Sequence, residues 1–173
     1  ITWALTGDHN RMNALAAMLA ARHVGVPLDK GLDALSRFEN VKRRMEVRGV
    51  EREVTVYDDF AHHPTAIATT VGGLRRKVGN ARILAVIEPR SNTMKLGVMK
   101  DQLPGSLVDC DQVYCYGANL GWDAAEALRP MGERAEVHED FNTMLKAIVG
   151  NARAGDHILV MSNGGFQGIH NKL

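Results

Sequence analysis

The densest group of chemically active side chains lies in residues 57–65, Tyr-Asp-Asp-Phe-Ala-His-His-Pro-Thr. Two carboxylates, Asp58 and Asp59, and two imidazoles, His62 and His63, fall within this short segment. An alternating apolar run precedes them and a helical pattern follows, which predicts a strand that leads into the N-terminus of a helix. Phosphates and nucleotides are typically bound at such points, so the segment predicts a site of that kind.

Each of these side chains also has a plain structural interpretation. A carboxylate at Asp58 or Asp59 could accept the ribose hydroxyls or hold a metal-bound water, or it could cap the helix beside a solvated neighbour. One imidazole could meet a phosphate, because Pro64 is a good first helical residue. Alternatively, one histidine caps the helix and the other is exposed. The spacing does not favour zinc, because adjacent histidines rarely point at one ion.

A second polar group lies near the start of the chain, in residues 7–17. Asn10 and Asn13 are three residues apart, so they share a face of a predicted helix. An amide in this position could recognise an adenine edge through its donor and its acceptor. The alternative is an ordinary polar N-terminal turn.

Three further segments carry groups that bind anions. The Arg43-Arg44 pair precedes a predicted strand, where a guanidinium could clamp a terminal phosphate or lie in a solvated basic turn. Arg90 could bind a carboxylate bidentately or form a salt bridge at a strand exit. Residues 162–166, Ser-Asn-Gly-Gly-Phe, could offer backbone N–H groups to an anion or form a tight turn before a terminal helix. The sequence contains neither a P-loop nor a dinucleotide fingerprint.

Hydrophobic periodicity predicts the elements that position these groups. Two helices come first, followed by two β runs with a hairpin turn at 49–51, and then helices and strands alternate. The predicted helices are 8–24, 28–38, 64–77, 95–103, 123–129 and 140–150, and the strands are 45–50, 53–58, 82–88, 112–116, 134–138 and 157–161. Apolar strands that alternate with helices predict an α/β fold, a mostly parallel sheet with helices on both faces. The helical character of residues 1–40 predicts a domain boundary near residue 40.

The strand exits support a common site. Polar or glycine-rich residues follow four predicted strands, at 58–63, 88–93, 116–119 and 162–165. In an open parallel sheet these exits lie along one edge, where ligands bind. The sequence therefore predicts one ligand-binding edge.

Composition excludes some function classes. The chain has 173 residues, with 21 Lys and Arg against 20 Asp and Glu, so no basic field suggests nucleic-acid binding. No apolar run approaches the ~20 residues needed to span a bilayer. Cys110 and Cys115 are predicted on opposite faces of one strand, as reduced core thiols, which fits a cytoplasmic protein. The chain begins with Ile1 and an apparent strand at 1–5, so we expect a fragment of a longer protein.

Three motifs in this order resemble those of the Mur ligases, the ATP-dependent amide-forming enzymes of peptidoglycan synthesis. Gly-x-His-Asn-x-x-Asn-x-x-Ala-Ala matches residues 7–17, Arg-Arg-x-Glu matches 43–46, and Asp-Asp-aromatic-x-His-His-Pro-Thr matches 58–65. The family has a UDP-sugar domain, a central ATPase domain and a C-terminal Rossmann-like domain. The resemblance therefore implies that residues 1–40 are the tail of the ATPase domain and that residues 41–173 are the Rossmann-like domain.

The resemblance also implies roles for single residues and a cofactor, ATP with Mg, whose ligands fall mostly outside this chain. Asn10 and Asn13 would face the adenine and Asp59 would hold the ribose. Arg44 would reach the phosphates across the hinge, and His62 would lie near them. Among the residues of this chain no metal ligand is implied, and the remainder of the same chain would be the main protein partner.

The His-His-Pro form resembles the muramate-using branch of the family. Residues 88–95 and 162–166 look like the ligase that attaches the tripeptide L-alanyl-γ-D-glutamyl-meso-diaminopimelate to UDP-N-acetylmuramate in peptidoglycan recycling, through an acyl phosphate. The L-alanine-adding ligase usually has a Gln-Pro-His-Arg type segment where Glu-Pro-Arg stands here. The residues implied for binding the incoming peptide are Arg90, Ser91, Asn92, Ser162 and Asn163.

Two other functions stay open at this point. One is the L-alanine-adding muramate ligase of peptidoglycan synthesis, and the other is a nucleotide- or peptide-binding module without catalysis. The resemblance implies a cytoplasmic enzyme that binds neither nucleic acid nor membrane. Because the P-loop lysine and the usual magnesium ligands are absent from these residues, we expect the fragment alone to be inactive.

Overall fold

The structure is a computed structural model that describes Leu5 and residues 7–173. Apart from Leu5, the strand predicted at 1–5 lies outside the described residues. The chain divides into two compact units, residues 1–42 and 43–173, and each is described by itself.

The first unit is a pair of helices, α1 (Asp8–His23) and α2 (Leu28–Ser36). Helix α1 is followed by Gly25, whose φ of 90° is a conformation that glycine adopts without strain. Gly31 of α2 is buried, and a Cβ there would lie 2.6 Å from the sulfur of Met18 in α1. The glycine therefore permits the close approach of the two helices.

The second unit is built on a six-stranded sheet with the strand order β1-β2-β6-β3-β4-β5. Strand β1 pairs antiparallel with β2, and the other four pairings are parallel. The strands are β1 Glu46–Glu51, β2 Val54–Asp59, β3 Ile83–Ile87, β4 Gln112–Tyr116, β5 Ala135–His138 and β6 His157–Met161. The predicted α/β class with a mostly parallel sheet is confirmed.

The helices of this unit lie between the strands in sequence. They are α3 Pro64–Val78, α4 Asn92–Lys95, α5 Leu103–Ser106, α6 Ala124–Leu128 and α7 Phe141–Asn151, with 3-10 turns at Lys100–Gln102, Arg129–Arg134 and Phe166–Asn171. The prediction of a single helix at 95–103 is wrong, because the structure has separate short helical elements there. Gly97, with a φ of 72°, separates α4 from the next turn, because this backbone conformation cannot continue a right-handed helix.

The hairpin turn predicted at 49–51 is also misplaced. Strand β1 continues through Glu51, and the turn consists of Arg52 and Glu53. Both residues have positive φ values, 48° and 63°, which match the two-residue turns whose twist suits a hairpin. Neither residue is a typical turn former, so the composition pointed to Gly49 instead.

Two hydrophobic clusters cover the two faces of the sheet, because alternate residues of each strand point to opposite sides. Ile83, Ala85 and Ile87 of β3 belong to the cluster that also contains side chains of α3, α5 and α6. Leu84 and Val86 belong to the other cluster, with α7 and the last turn. The prediction of helices on both faces is therefore confirmed.

The cysteines and α7 each require a correction. Cys110 lies before β4 rather than in it, and it shares one cluster with Cys115. Both thiols are free and buried, as predicted, and burial raises the pKa of each to about 12. The apolar pattern of residues 140–150 predicts Phe141, Leu145, Ile148 and Val149 on the inward face of α7. The buried side chains are Phe141, Met144 and Ile148, and Val149 is 55% exposed.

Candidate functional site

The exits of β2, β6 and β3 meet at one edge of the sheet, as the polar exits predicted. Asp59 and Ile87 both pair in register with Met161, the last residue of β6. Beyond the strands, the backbone N–H of Ser162 donates to the carbonyl of Asp59 (3.2 Å), and that of Glu88 donates to the carbonyl of Met161 (3.2 Å). The three exits are thus fixed to one another by backbone hydrogen bonds.

Arg43 ties this edge together. Its Nη2 donates to the carbonyls of Ser162 (2.5 Å) and Gly164 (2.8 Å), and its Nε lies 3.3 Å from Oδ2 of Asp58. The Asp58 side chain is only 5% exposed, so its charge requires a partner. Arg43 therefore neutralises a buried carboxylate and holds the loop after β6 in place. Residues 43, 58, 59, 88, 162 and 164 are called the anchored edge below.

Arg44, the residue predicted to reach phosphates, lies in a turn that holds it at the surface. Its neighbours Arg43 and Met45 both have positive φ, 59° and 52°, a conformation that is uncommon outside glycine. The guanidinium of Arg44 is exposed and lies 5.9 Å from the centre of the Phe60 ring. The two adjacent arginines thus differ, since Arg43 is an internal anchor and Arg44 is at the surface.

Asp59, predicted to hold the ribose, is 3% exposed and heavily hydrogen-bonded. Its Oδ2 accepts from the N–H of Met45 (2.9 Å), and its Oδ1 accepts from the N–H of Ala61 (2.8 Å) and the hydroxyl of Thr70 (3.2 Å). A carboxylate has about four acceptor positions. These internal bonds fix the carboxylate and leave about one position for another donor.

His62 and His63 lie at the start of α3. Nδ1 of His62 is 3.0 Å from the carbonyl oxygen of Phe60. Because a carbonyl only accepts, that nitrogen must carry the proton, which directs Nε2 away from the backbone bond. His63 is the N-cap residue, and Pro64 occupies the first helical turn as the sequence predicted. The imidazole of His62 is therefore oriented by the chain itself.

Two local contacts position the segment after β3, the helix cap of Ser91 and the packing of Arg90 against Gly164. Ser91, predicted to bind substrate, caps the short helix α4, because its Oγ accepts from the N–H of Met94 at 3.3 Å. Arg90 lies against Gly164, where a Cβ would be 1.8 Å from its Nη1. Asn92 is exposed at the first turn of α4. Of the three residues, Arg90 and Asn92 are exposed to solvent.

The loop after β6 is more structural than its sequence suggested. Ser162 is 1% exposed; its Oγ donates to Oε2 of Glu88 (2.5 Å) and accepts from the N–H of Gly164 (3.0 Å). Its hydroxyl is therefore already occupied by two hydrogen bonds. Asn163 differs, because its Oδ1 is buried with no hydrogen-bond partner among the described residues. A buried acceptor without a partner is costly, so this oxygen needs a donor that the described residues do not supply.

The pattern of the sequence did not reveal His170. Its Nε2 lies 3.3 Å from Oδ1 of Asp58. Asp58 and Asp59 are successive residues of β2, so their side chains point to opposite faces of the sheet. Burial lowers the pKa of His170 by more than the neighbouring Asp58 raises it. More than 100 residues of sequence separate the two side chains, so no local spacing could have predicted the contact.

Asn10 and Asn13 lie in the first unit, at the N-terminal end of α1. Asn10 is half-buried and Asn13 is exposed, and the spacing of three puts them on one side of the helix. Their predicted contact with adenine stays a prediction. Among residues 7–173 and Leu5, no group of three or more His, Cys, Asp or Glu side chains is arranged to hold a metal ion.

The topology and the site define a class of protein. The chain belongs to the Mur ligase family: the family described as Mur ligase, glutamate ligase domain, matches residues 43–164. None of the helices that the structure describes is both long and apolar enough to cross a membrane.

The chain is similar to particular members of this family. Over its whole length the chain is 52% identical to the UDP-N-acetylmuramate–L-alanyl-γ-D-glutamyl-meso-2,6-diaminoheptandioate ligase of Escherichia coli K12. The match covers 38% of that ligase. The chain is 42% identical to the crystal structure of a murein peptide ligase from Psychrobacter arcticus, with a TM-score of 0.77 over 100% of this chain and 38% of that one. A UDP-N-acetylmuramate–L-alanine ligase from a Mycobacterium species is 33% identical over 93% of the chain and 35% of the relative. The chain thus spans less than two fifths of the length of these relatives.

Proposed function

We propose that this chain is the C-terminal part of a murein peptide ligase, an ATP-dependent enzyme that joins UDP-N-acetylmuramate to L-alanyl-γ-D-glutamyl-meso-diaminopimelate. The observation that carries the proposal is the identity of 52% to the E. coli ligase with this substrate in its name, against 33% to an L-alanine-adding ligase. The segments next to the anchored edge support it, because they carry Arg44, His62 and Arg90, which are groups that can bind anions.

The phosphate side of the site is assigned to Arg44 and His62. Arg44 is exposed beside the ring of Phe60. Nδ1 of His62 donates to a carbonyl, so a phosphate oxygen would be met by the imidazolium form, in which Nε2 also carries a proton. Helix α3 begins two residues later, and its N-terminal backbone dipoles favour negative charge. These three features fit the phosphates of ATP, which would supply the phosphoryl group that activates the muramate carboxylate as an acyl phosphate.

In the second unit, Asp59 is assigned to the ribose, and in the first unit, Asn10 and Asn13 are assigned to the adenine. Asp59 is held by three internal donors and retains about one acceptor position, which fits a ribose hydroxyl. The amides of Asn10 and Asn13 fit an adenine edge. We assign no magnesium ligand to the residues described, and the whole protein would use residues of its other domains for that ion.

The acceptor side is assigned to the segment after β3 and the loop after β6. Arg90 is exposed, and its guanidinium fits a carboxylate of the peptide. Asn92 is exposed near it, and Asn163 has a buried acceptor to offer. Ser91 and Ser162 act as positioning residues, because their hydroxyls are engaged in a helix cap and in a bond to Glu88. Orientation of the attacking amine, rather than covalent chemistry, is what these residues supply.

The reaction of the whole protein would then depend on stabilisation of the phosphoryl charge and on the position of the attacking amine. Arg44 and His62 would hold the transferred phosphoryl group and stabilise its charge as it leaves the acyl group. The amine of the peptide's L-alanyl residue would attack the acyl carbon and displace phosphate, while Arg90 holds a carboxylate of the peptide. We assign the reaction to the cytoplasm, because both thiols of the domain are free and buried.

The test is acceptor-dependent ADP release by the full-length protein with UDP-N-acetylmuramate. Release with the tripeptide but not with L-alanine would support the proposal, and Arg90→Ala should raise the KM for tripeptide about tenfold, as expected for a lost charge-assisted contact. Arg129→Ala, an exposed arginine outside the site, is the matched control.

Other results would support the competing functions. Release with L-alanine alone would assign the chain to the biosynthetic ligase, and no release with any acceptor would favour a binding module without catalysis. The purified fragment, residues 1–173, should show no ligation. Product formed by the fragment would contradict the assignment of the phosphate chemistry to other domains.

A further inference from the structure

An open cleft lies at the exits of β4 and β5, beside the anchored edge. It has a volume of about 900 Å³ and is lined by residues 116–120, 122–125, Val137 and Glu139. Gly117 at its base packs closely, because a Cβ there would lie 2.9 Å from Cγ1 of Val137. The polar exit after β4, residues 116–119, thus forms part of the lining.

The wall of this cleft is continuous with the segment that carries Arg90. Nε1 of Trp122 donates to the carbonyl of Met94 (2.6 Å), and the N–H of Gly121 donates to the carbonyl of Lys95 (3.2 Å). A Cβ at Gly97 would lie 3.0 Å from the Trp122 ring, so the two loops are in direct contact. The cleft wall is therefore fixed to the residues that end the segment after β3.

The distances match an extended peptide. Neighbouring strands lie about 4.8 Å apart, so the exits of β4 and β5 are about 5–10 Å from that of β3. Three extended residues span about 10 Å. An acceptor whose amine reacts near the exit of β3 would bring its third residue to the cleft, whereas a single amino acid would not reach it.

The charged residues that line the cleft favour a positively charged group. Of the residues that line it, Asp123 and Glu139 are charged, and both are acidic. Asp123 is already used as the N-cap of α6, accepting from the N–H groups of Ala125 (2.8 Å) and Glu126 (3.0 Å). Glu139 is exposed at the rim, and the half-buried ring of Trp122 offers an apolar wall to methylene groups.

We propose that this cleft binds the third residue of the acceptor peptide, with Glu139 pairing with its distal amine. The inference rests on the proposed ligase function and adds a specificity-determining subsite to it. The distal carbon of diaminopimelate carries an amine and a carboxylate at the end of a methylene chain. The methylene groups fit the ring of Trp122, the amine fits Glu139, and the carboxylate would face solvent at the open side of the cleft. The subsite would distinguish a diaminopimelate side chain from one without the second amine.

The experiment measures ligation by the full-length protein with three acceptors: the dipeptide L-alanyl-γ-D-glutamate, the diaminopimelate tripeptide, and the tripeptide with aminopimelate, which lacks only the second amine. Glu139→Gln should raise the KM for the diaminopimelate peptide about fivefold, the size of an ion pair at a surface. It should leave the aminopimelate peptide and the dipeptide unchanged. Glu133→Gln, an exposed acid outside the cleft, is the control.

A second variant tests the cleft by its shape. Ala125→Phe fills the cleft from the exposed side of α6 and should raise the KM for both tripeptides at least about tenfold, with no change for the dipeptide. Glu126→Phe adds the same ring one residue away and is the control. Equal changes with all three acceptors, or no change with any, would overturn the subsite. If the unmodified protein ligates the tripeptide, the ligase proposal stands and the variants test the subsite alone. If it does not, the ligase proposal and the subsite proposal both fail.

Discussion

The anchored edge and the cleft are neighbouring parts of one sheet edge, but their polar groups are used in opposite ways. In the anchored edge, Asp58, Asp59 and Ser162 are 1–4% exposed and are bonded to other groups of the chain. In the cleft, Asn119 and Glu139 are exposed and the space between the loops is open. The same position in a parallel sheet has thus produced a rigid frame in one place and an open binding surface in the other.

The difference separates residues that mainly hold the site from residues that are exposed to a ligand. Asp59 is assigned to both groups, because its internal bonds leave about one acceptor position. A buried polar group must be satisfied within the protein, so its main role is to fix backbone geometry. A ligand is bound mainly by groups that it can reach from solvent. Arg43 and Ser162 belong to the frame, whereas Arg44, Arg90 and Glu139 are exposed and are assigned to the binding surface.

The largest effect should follow from removing the central anchor. Arg43→Ala leaves the buried carboxylate of Asp58 without its arginine and frees the carbonyls of Ser162 and Gly164. We expect the free energy of unfolding to fall by about 2 kcal/mol, since the arginine is partly exposed and the carboxylate is not. Urea-induced unfolding followed by circular dichroism measures the change.

Arg44→Ala is the matched control for that change. It should alter the free energy of unfolding by less than about 0.5 kcal/mol, because its side chain is exposed. In the full-length protein it should instead reduce kcat with any acceptor. Equal destabilisation by the two substitutions would contradict the division between frame and binding surface.

A smaller effect, on acceptor binding, should follow from a change at Gly164, where the anchored edge contacts Arg90 of the binding surface. Gly164→Ala would bring a Cβ to 1.8 Å from Nη1 of Arg90, so the guanidinium must move. Because the displaced atoms belong to a flexible side chain, we expect little loss of stability but a rise of about threefold to tenfold in the KM for the peptide acceptor, equivalent to about 1 kcal/mol of binding. Steady-state kinetics on the full-length protein measure it.

Gly165→Ala provides the comparison for this variant. Nothing lies within 4 Å of a Cβ at that position. Its kinetics should match those of the unmodified protein. A similar rise in KM for both variants would mean that loop flexibility, rather than the position of Arg90, controls acceptor binding.

The smallest effect should be a dependence of stability on pH that two histidines cause. Burial lowers the pKa of His170, in spite of Asp58, and that of His157, where Lys77 adds to the effect. The unfolded chain therefore takes up these protons first as the pH falls through about 6.5. Stability is fully present above that pH and is lost as the pH falls toward the folded pKa values.

The two histidines lie at opposite ends of the sheet, so variants can separate their contributions. His170→Gln should flatten the dependence that arises at the anchored edge, and His157→Gln should flatten the part that arises at the start of β6. Urea midpoints between pH 5 and 8 measure both slopes. An unchanged slope in His170→Gln would mean that Asp58 compensates the buried imidazole fully.

The regular elements were predictable where local signals agreed. Strands β4 and β6 have the bounds that the apolar runs predicted, and α3 begins at the Pro64 that marks its first turn. The prediction failed where one glycine or one turn decided the outcome. Gly97 divided the helix predicted at 95–103, and the hairpin turn formed at Arg52 and Glu53 because strand pairing outweighed turn propensity.

The sequence by itself determined the α/β class, the polar exits and the family motifs, because these depend on periodicity and on residues close together in the chain. Only the tertiary structure decided which polar residue anchors and which is exposed. Arg43 meets residues 58, 162 and 164, and His170 meets Asp58, across separations that local patterns do not encode. The physical reason is that burial, which sets the cost of an unsatisfied polar group, is a property of the packed sheet and not of any segment alone.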